Sequence, residues 1–170
     1  MVTDEFADSA WGRDWIRLAQ PVRIARVNPL IPRARSLARR HQVTEVVVAP
    51  GLATADVEAH AVRITVPLWT TQQRDAVGMV VAAEHDDLPD AVHRDLVEAR
   101  LAPLVDVETT CTCVGRTRPC LHVLACFFEL ARRVDERPRL ALLLRGLTRR
   151  EEAELTRIPL ARIDPSTFYG

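Results

Sequence analysis

Residues 111–122 read CTCVGRTRPCLH, and they bring three of the chain's four cysteines and one of its five histidines within twelve positions. Any fold for this chain must account for that crowding. Three explanations apply to such a cluster: a metal site, a redox pair or a chance grouping of buried thiols. The spacing is Cys-x-Cys, six residues, then Cys-x-His. On a strand, residues two apart face the same way, so Cys111 and Cys113 can present both sulfurs to one point. Gly115 lets the intervening loop turn back. Pro119 disfavours helical geometry at Arg118 and suits a helix start. On a regular helix, residues two apart diverge. Cys120 and His122 therefore reach one ion only if Cys120 lies just outside the helix and His122 lies in its first turn.

Strand, loop and helix start then supply four donors, Cys111, Cys113, Cys120 and His122, which is the set a tetrahedral structural zinc takes. The redox reading lacks a C-x-x-C and a thioredoxin-like context. Chance clustering does not account for the histidine. The reading adopted is one structural zinc ion, with every position filled by protein. Cys126, one helical turn beyond His122, is a spare ligand or a small buried thiol, and the second is the commoner case.

This pattern resembles the SWIM zinc-finger family, whose signature is Cys-x-Cys, a variable loop, then Cys-x-His followed by a helix. The resemblance assigns Cys111, Cys113, Cys120 and His122 to the four ligand positions and implies a β-hairpin followed by a helix. More widely, WGRDW near the start, a strand meander after a basic helix, and RPRLALLLRG after the zinc helix look like bacterial SWIM proteins related to Swi/Snf-type helicase-like ATPases. That likeness implies two kinds of partner, a nucleic acid (DNA or RNA) and a helicase-like ATPase. The chain departs from the family at Leu121, where relatives often carry a basic residue, and at GRTR in the loop, where they often carry an acidic-aromatic pair.

The rest of the chain frames the cluster. Trp11, Trp15 and Leu18 line one face of a short helix, and PRARSLARRH (32–41) is a basic helix. The segments 43–51, 53–60 and 62–69 alternate like strands, with Pro50-Gly51 suited to a type II turn. Val62, Ile64, Val66 and Leu68 share one strand face. Residues 70–101 turn helical, with Val92, Leu96 and Val97 at helical spacing. HVLACFFELARR (122–133) is a helix apolar on nearly every side except Glu129. RLALLLRG ends at Gly146, a C-cap signal, and Thr148 with Glu151 marks a capping box for a final helix.

The fold expected is α+β: an antiparallel meander with helices, then a C-terminal ββα zinc-finger module and further helices. The divisions expected are a disordered tail (1–10), an α+β region (11–109), the zinc finger (110–136) and a helical extension (137–170).

Charge bears on partners. All 23 basic residues are Arg, against 23 acids. Residues 1–42 carry a net +4, residues 43–110 a net −8 and residues 111–170 a net +4. So acidic a centre does not fit a protein that coats nucleic acid throughout. If there is a nucleic-acid surface, it lies at the two ends of the chain, with Arg116, Arg118, Arg132, Arg133, Arg149 and Arg150 as candidates. Arginine pairs are more often solvated helix faces, and a protein-interaction adaptor with no nucleic-acid binding is the alternative. Arg116 and Arg118 have another use, since three thiolates around a divalent ion leave one negative charge to balance. An EHDD run (84–87) with His93 invites a second metal, but a charged helix end is the plainer reading.

No P-loop, G-x-S-x-G or dinucleotide fingerprint occurs, and a non-enzymatic protein is expected. No apolar stretch approaches the roughly 18–20 residues of a membrane span, and the acidic N-terminus does not read as a secretion signal. A cytoplasmic protein with no membrane partner is the expectation.

Overall fold

A computed structural model describes residues 5–21, 28–82 and 88–148. Its core is a helix, α5 (Leu121–Glu136), of which twelve of sixteen residues are buried. Such all-round burial follows from LACFFELA, which offers apolar side chains on every face. Two layers of structure pack against it.

On one side lies α1 (Ala10–Ala19). Ser9 caps it by accepting the Gly12 N–H at 3.2 Å. Asp135, in the last turn of α5, accepts from Asp8 N, Ser9 N and Ser9 Oγ at 3.0, 2.7 and 2.6 Å. Trp11 and Trp15 are buried, Trp15 against Phe127 with ring centroids 6.2 Å apart. Residues 5–9, which the sequence assigns to a disordered tail, are held down by those bonds, and Phe6 and Ala7 enter the core. A second helix, α2 (Ile31–Arg39), packs beside α1 on α5. From it Arg35 lies over the Phe6 and Phe128 rings at 5.7 and 5.0 Å.

On the other side is a four-stranded antiparallel sheet in the order β1-β2-β3-β4, made of β1 (Val43–Ala49), β2 (Leu52–Val57), β3 (His60–Thr65) and β4 (Glu108–Cys111). Pro50-Gly51 turns β1 into β2, with Gly51 at φ 75° as a type II turn requires of its second central residue. The expected alternation holds for Val62, Ile64 and Val66, which are buried, but Leu68 is exposed. β3 ends at Thr65, so period-two alternation no longer governs residue 68. There Leu68 covers Gly51 and Gly146 instead, at 3.3 and 3.1 Å from where their Cβ atoms would stand.

The expectation of an α+β fold with an antiparallel meander is met. Between residues 107 and 121, however, the described chain forms one strand, not a hairpin. β4 pairs with β3, matching Cys111 to Val62 and Thr109 to Ile64, and so becomes the fourth strand of the main sheet.

The remaining helices are α3 (Thr71–Val81), with a capping box between Thr70 and Gln73, α4 (Asp90–Glu98) and α6 (Arg139–Leu144). In α4, Val92 and Leu96 are buried, whereas Val97 is largely exposed. His93, considered above for a second metal, pairs with Asp14 at 2.8 Å and stands edge-on to Trp11. That buried pair ties α4 to α1. Residues 84–87 lie outside the described residues. Gly146, at φ 92°, ends α6 as its sequence position suggests, and the capping box at Thr148 and Glu151 runs outside the described residues. No described helix is long and apolar enough to cross a membrane.

Candidate metal centre

Three pieces of backbone meet at one corner of the sheet. Cys111 is the last residue of β4, and the chain beyond it stays attached to β3 in an altered way. Thr112 donates its N–H to the Ala61 carbonyl at 3.1 Å, while its hydroxyl accepts the Ala61 N–H at 3.0 Å. A side chain thus replaces the next rung of the ladder. Cys113 consequently sits past the strand end, not on it as the i, i+2 argument supposes. Gly115 follows, where an added Cβ would stand 3.7 Å from Cys113 Sγ.

The return of the loop is fixed at two points. Arg118 donates through Nη1 to the Gly115 and Thr117 carbonyls at 2.6 and 3.1 Å. Asn28 donates through Nδ2 to the Pro119 carbonyl at 3.3 Å while its Oδ1 accepts the Leu30 N–H at 3.0 Å. The loop end is thereby tied to the start of α2.

Cys120 is the N-cap of α5, in extended conformation (φ −77°, ψ 170°), and His122 is the second helical residue. This is the arrangement the Cys-x-His spacing demands: the backbone changes direction between the two residues, so their side chains converge. The ligand atoms of Cys111, Cys113, Cys120 and His122 all lie within 4.8 Å of one another. Cys111 Sγ and His122 Nδ1 are 3.6 Å apart. A tetrahedral ion at about 2.3 Å from sulfur and about 2.0 Å from nitrogen would hold those two atoms about 3.5 Å apart. The four side chains could therefore hold one metal ion, and His122 would offer Nδ1.

The electrostatics differ across the set. Burial pushes the Cys111 thiol up to about 12. The Gly115 backbone N–H holds Cys113 below the ordinary thiol range, with smaller help from the neighbouring thiols and Arg118. Burial lowers His122, and the nearby His60 ring lowers it further. A neutral imidazole is the form that binds metal. Cys126 is buried within α5 and its thiol is raised, chiefly by burial. It stands outside the group of four and lines a small space between sheet and helix with Ala53, Ala55, Ile64 and Glu129.

The arginines read as phosphate contacts fall into different situations. Arg132 donates to Glu129 through Nε and Nη2 at 3.2 and 2.7 Å, and to Glu136 at 2.6 Å. Arg133 also donates to Glu129, at 2.7 Å. Both neutralise a carboxylate whose side chain is only 4% exposed. Arg118 serves the loop backbone. Arg116 is exposed. Arg149 and Arg150 lie outside the described residues.

Three residues at this corner escape a reading of the sequence: Asn28, Glu58 and His60. Asn28-Pro29 marks a turn, but nothing local says that its amide reaches Pro119. Glu58 and His60 approach His122 only through the pairing of β2 with β3.

No family model, no curated protein and no solved structure matches this chain.

Proposed function

We propose that the chain is a non-enzymatic zinc-binding protein of the SWIM type, whose single structural zinc shapes a surface that contacts nucleic acid or a Swi/Snf-type helicase-like ATPase. The carrying observation is the convergence of four donors, three thiols and one imidazole, within 4.8 Å. With all four taken by protein, a tetrahedral ion has no position left for water or substrate, the mark of a structural site. The finger is not freestanding in this reading: its one strand, β4, pairs with β3 of the main sheet, and α5 serves as its helix. Arg116, exposed at the loop tip beside the fully exposed Val114, is the residue best placed to meet a partner.

A second reading, an adaptor that binds protein and not nucleic acid, is favoured by one observation. Arg132 and Arg133 are committed to Glu129, so fewer guanidiniums remain for phosphate than the sequence suggests.

Titration of the zinc-loaded chain against labelled single- and double-stranded DNA and RNA, at several salt concentrations, separates the two. Phosphate contacts predict affinity that falls with salt, by a slope of about 0.9 per contact on duplex DNA and about 0.7 on single strands. Absence of binding at low salt leaves the adaptor.

A further inference from the structure

The β2–β3 hairpin turns through two residues, Glu58 and Ala59, between the paired Val57 and His60. Both turn residues have positive φ, 46° and 64°. Two-residue hairpins ask for that geometry, and Asn-Gly or Asp-Gly are the pairs at ease in it. Glu and Ala are strained there. A sequence that breaks a local rule in this way has a compensating reason elsewhere.

The reason is visible at the tip. Glu58 Oε2 lies 3.7 Å from His122 Nε2, the ring nitrogen that faces away from the thiols. On its other side the same oxygen meets Arg33 Nη2 at 3.4 Å. The His60 ring lies against His122, with centroids 4.4 Å apart and planes 38° apart.

We infer that this hairpin tip is the outer shell of the metal site, and that Glu58 is the residue that positions His122 as a ligand. The inference rests on the reading that Cys111, Cys113, Cys120 and His122 hold a metal ion. An imidazole that ligates through Nδ1 carries its proton on Nε2, and a carboxylate accepting from that N–H fixes both tautomer and ring orientation. At 3.7 Å the two groups are at ion-pair distance. A small rotation of the exposed Glu58 side chain makes the contact a hydrogen bond. Arg33 keeps the carboxylate from swinging into solvent, which brings α2 into the support of the site. His60 covers one face of the ring and limits its tilt.

The alternative is a strained turn bearing an ordinary surface ion pair to Arg33. Two glycine substitutions tell the readings apart, because each relaxes one left-handed residue and only one removes the carboxylate. Zinc affinity of the full chain is measured by competition with a chromophoric chelator for wild type, Glu58→Gly and Ala59→Gly. The melting temperature of each zinc-free form is recorded alongside. The expected result is a zinc affinity about 10- to 100-fold weaker for Glu58→Gly, still at one zinc per chain, with Ala59→Gly equal to wild type. In nitrogen-15 NMR of the zinc forms, the His122 Nε2–H signal should be protected in wild type and Ala59→Gly and exchange rapidly in Glu58→Gly. Equal zinc affinity and an equal Nε2–H signal in all three proteins would overturn the positioning role. Failure of the wild type to take up zinc would overturn the metal reading itself, a result distinct from a loss confined to Glu58→Gly.

Discussion

Gly12 lies where α1 presses on the backbone of α5. A Cβ there would come within 2.7 Å of the Ala7 Cβ, and within 2.9 Å of both the Ala131 carbonyl oxygen and Asp135 Oδ1. Two of those three neighbours are fixed, one by helix geometry and one by the bonds Asp135 accepts from Asp8 and Ser9. Helix propensity alone would favour Ala over Gly by about 1 kcal/mol. Overpacking costs about 1–3 kcal/mol and wins here. Gly12→Ala should therefore lower the urea midpoint with an unchanged slope, and a midpoint at or above wild type would show that the helices can move apart. At the metal corner, by the other end of α5, single residues are unevenly legible in the sequence. Cys111, Cys113, Cys120 and His122 announce themselves by chemistry and spacing within twelve positions. Glu58 and His60 belong to the same corner but stand more than fifty positions before Cys111, and only the pairing of β3 with both β2 and β4 brings them to it.

At the scale of elements, the site joins the end of an edge strand, β4, to the first turn of the central helix, α5. Neither has much local means of holding that junction. β4 is four residues long, and its ETTC sequence lacks the apolar alternation that marks a strand. Its pairing with β3 is non-local, which is why the sequence suggests a hairpin there and the chain instead forms a fourth strand. The N-cap of α5 is Cys120, whose side chain makes no capping hydrogen bond. A metal tying Cys120 and His122 to Cys111 and Cys113 would supply what both ends lack. Cys113→Ser and His122→Ala are each expected to abolish stoichiometric zinc binding. Each should also speed amide exchange over residues 108–124 more than over α1 and the C-terminal half of α5. A variant that kept its zinc and its exchange pattern would remove that residue from the ligand set. The long helices were legible because their periodic apolar faces exceed one turn. Val97 departs from the pattern, since the stripe of α4 is used only where it faces α1 and α3.

For the whole molecule, α5 is the common wall of two packing layers, α1 with α2 on one side and the sheet on the other. Loosening its first turn is felt by both. An ion that binds only the folded chain adds about 4 kcal/mol when free metal exceeds the dissociation constant a thousandfold. In a chain of this size that is a melting-temperature shift on the order of 10 °C. Removing zinc with a chelator should lower the melting temperature by that order, and restoring zinc should reverse it. A melting temperature indifferent to chelator would mean that the sheet and α5 hold the corner unaided. The charge pattern of the sequence is redistributed by folding, since Arg132 and Arg133 neutralise Glu129, Arg39 pairs with Glu5, and Arg33 pairs with Glu58. The number of arginines in each segment, legible in the sequence, therefore overstates the guanidiniums left for phosphate. The most direct test of the central claim is X-ray absorption at the zinc edge on the full chain purified with its metal. The account predicts one zinc per chain with three sulfur neighbours at about 2.3 Å and one nitrogen at about 2.0 Å. Four sulfurs, which would bring in Cys126, or a light-atom shell containing water would contradict it.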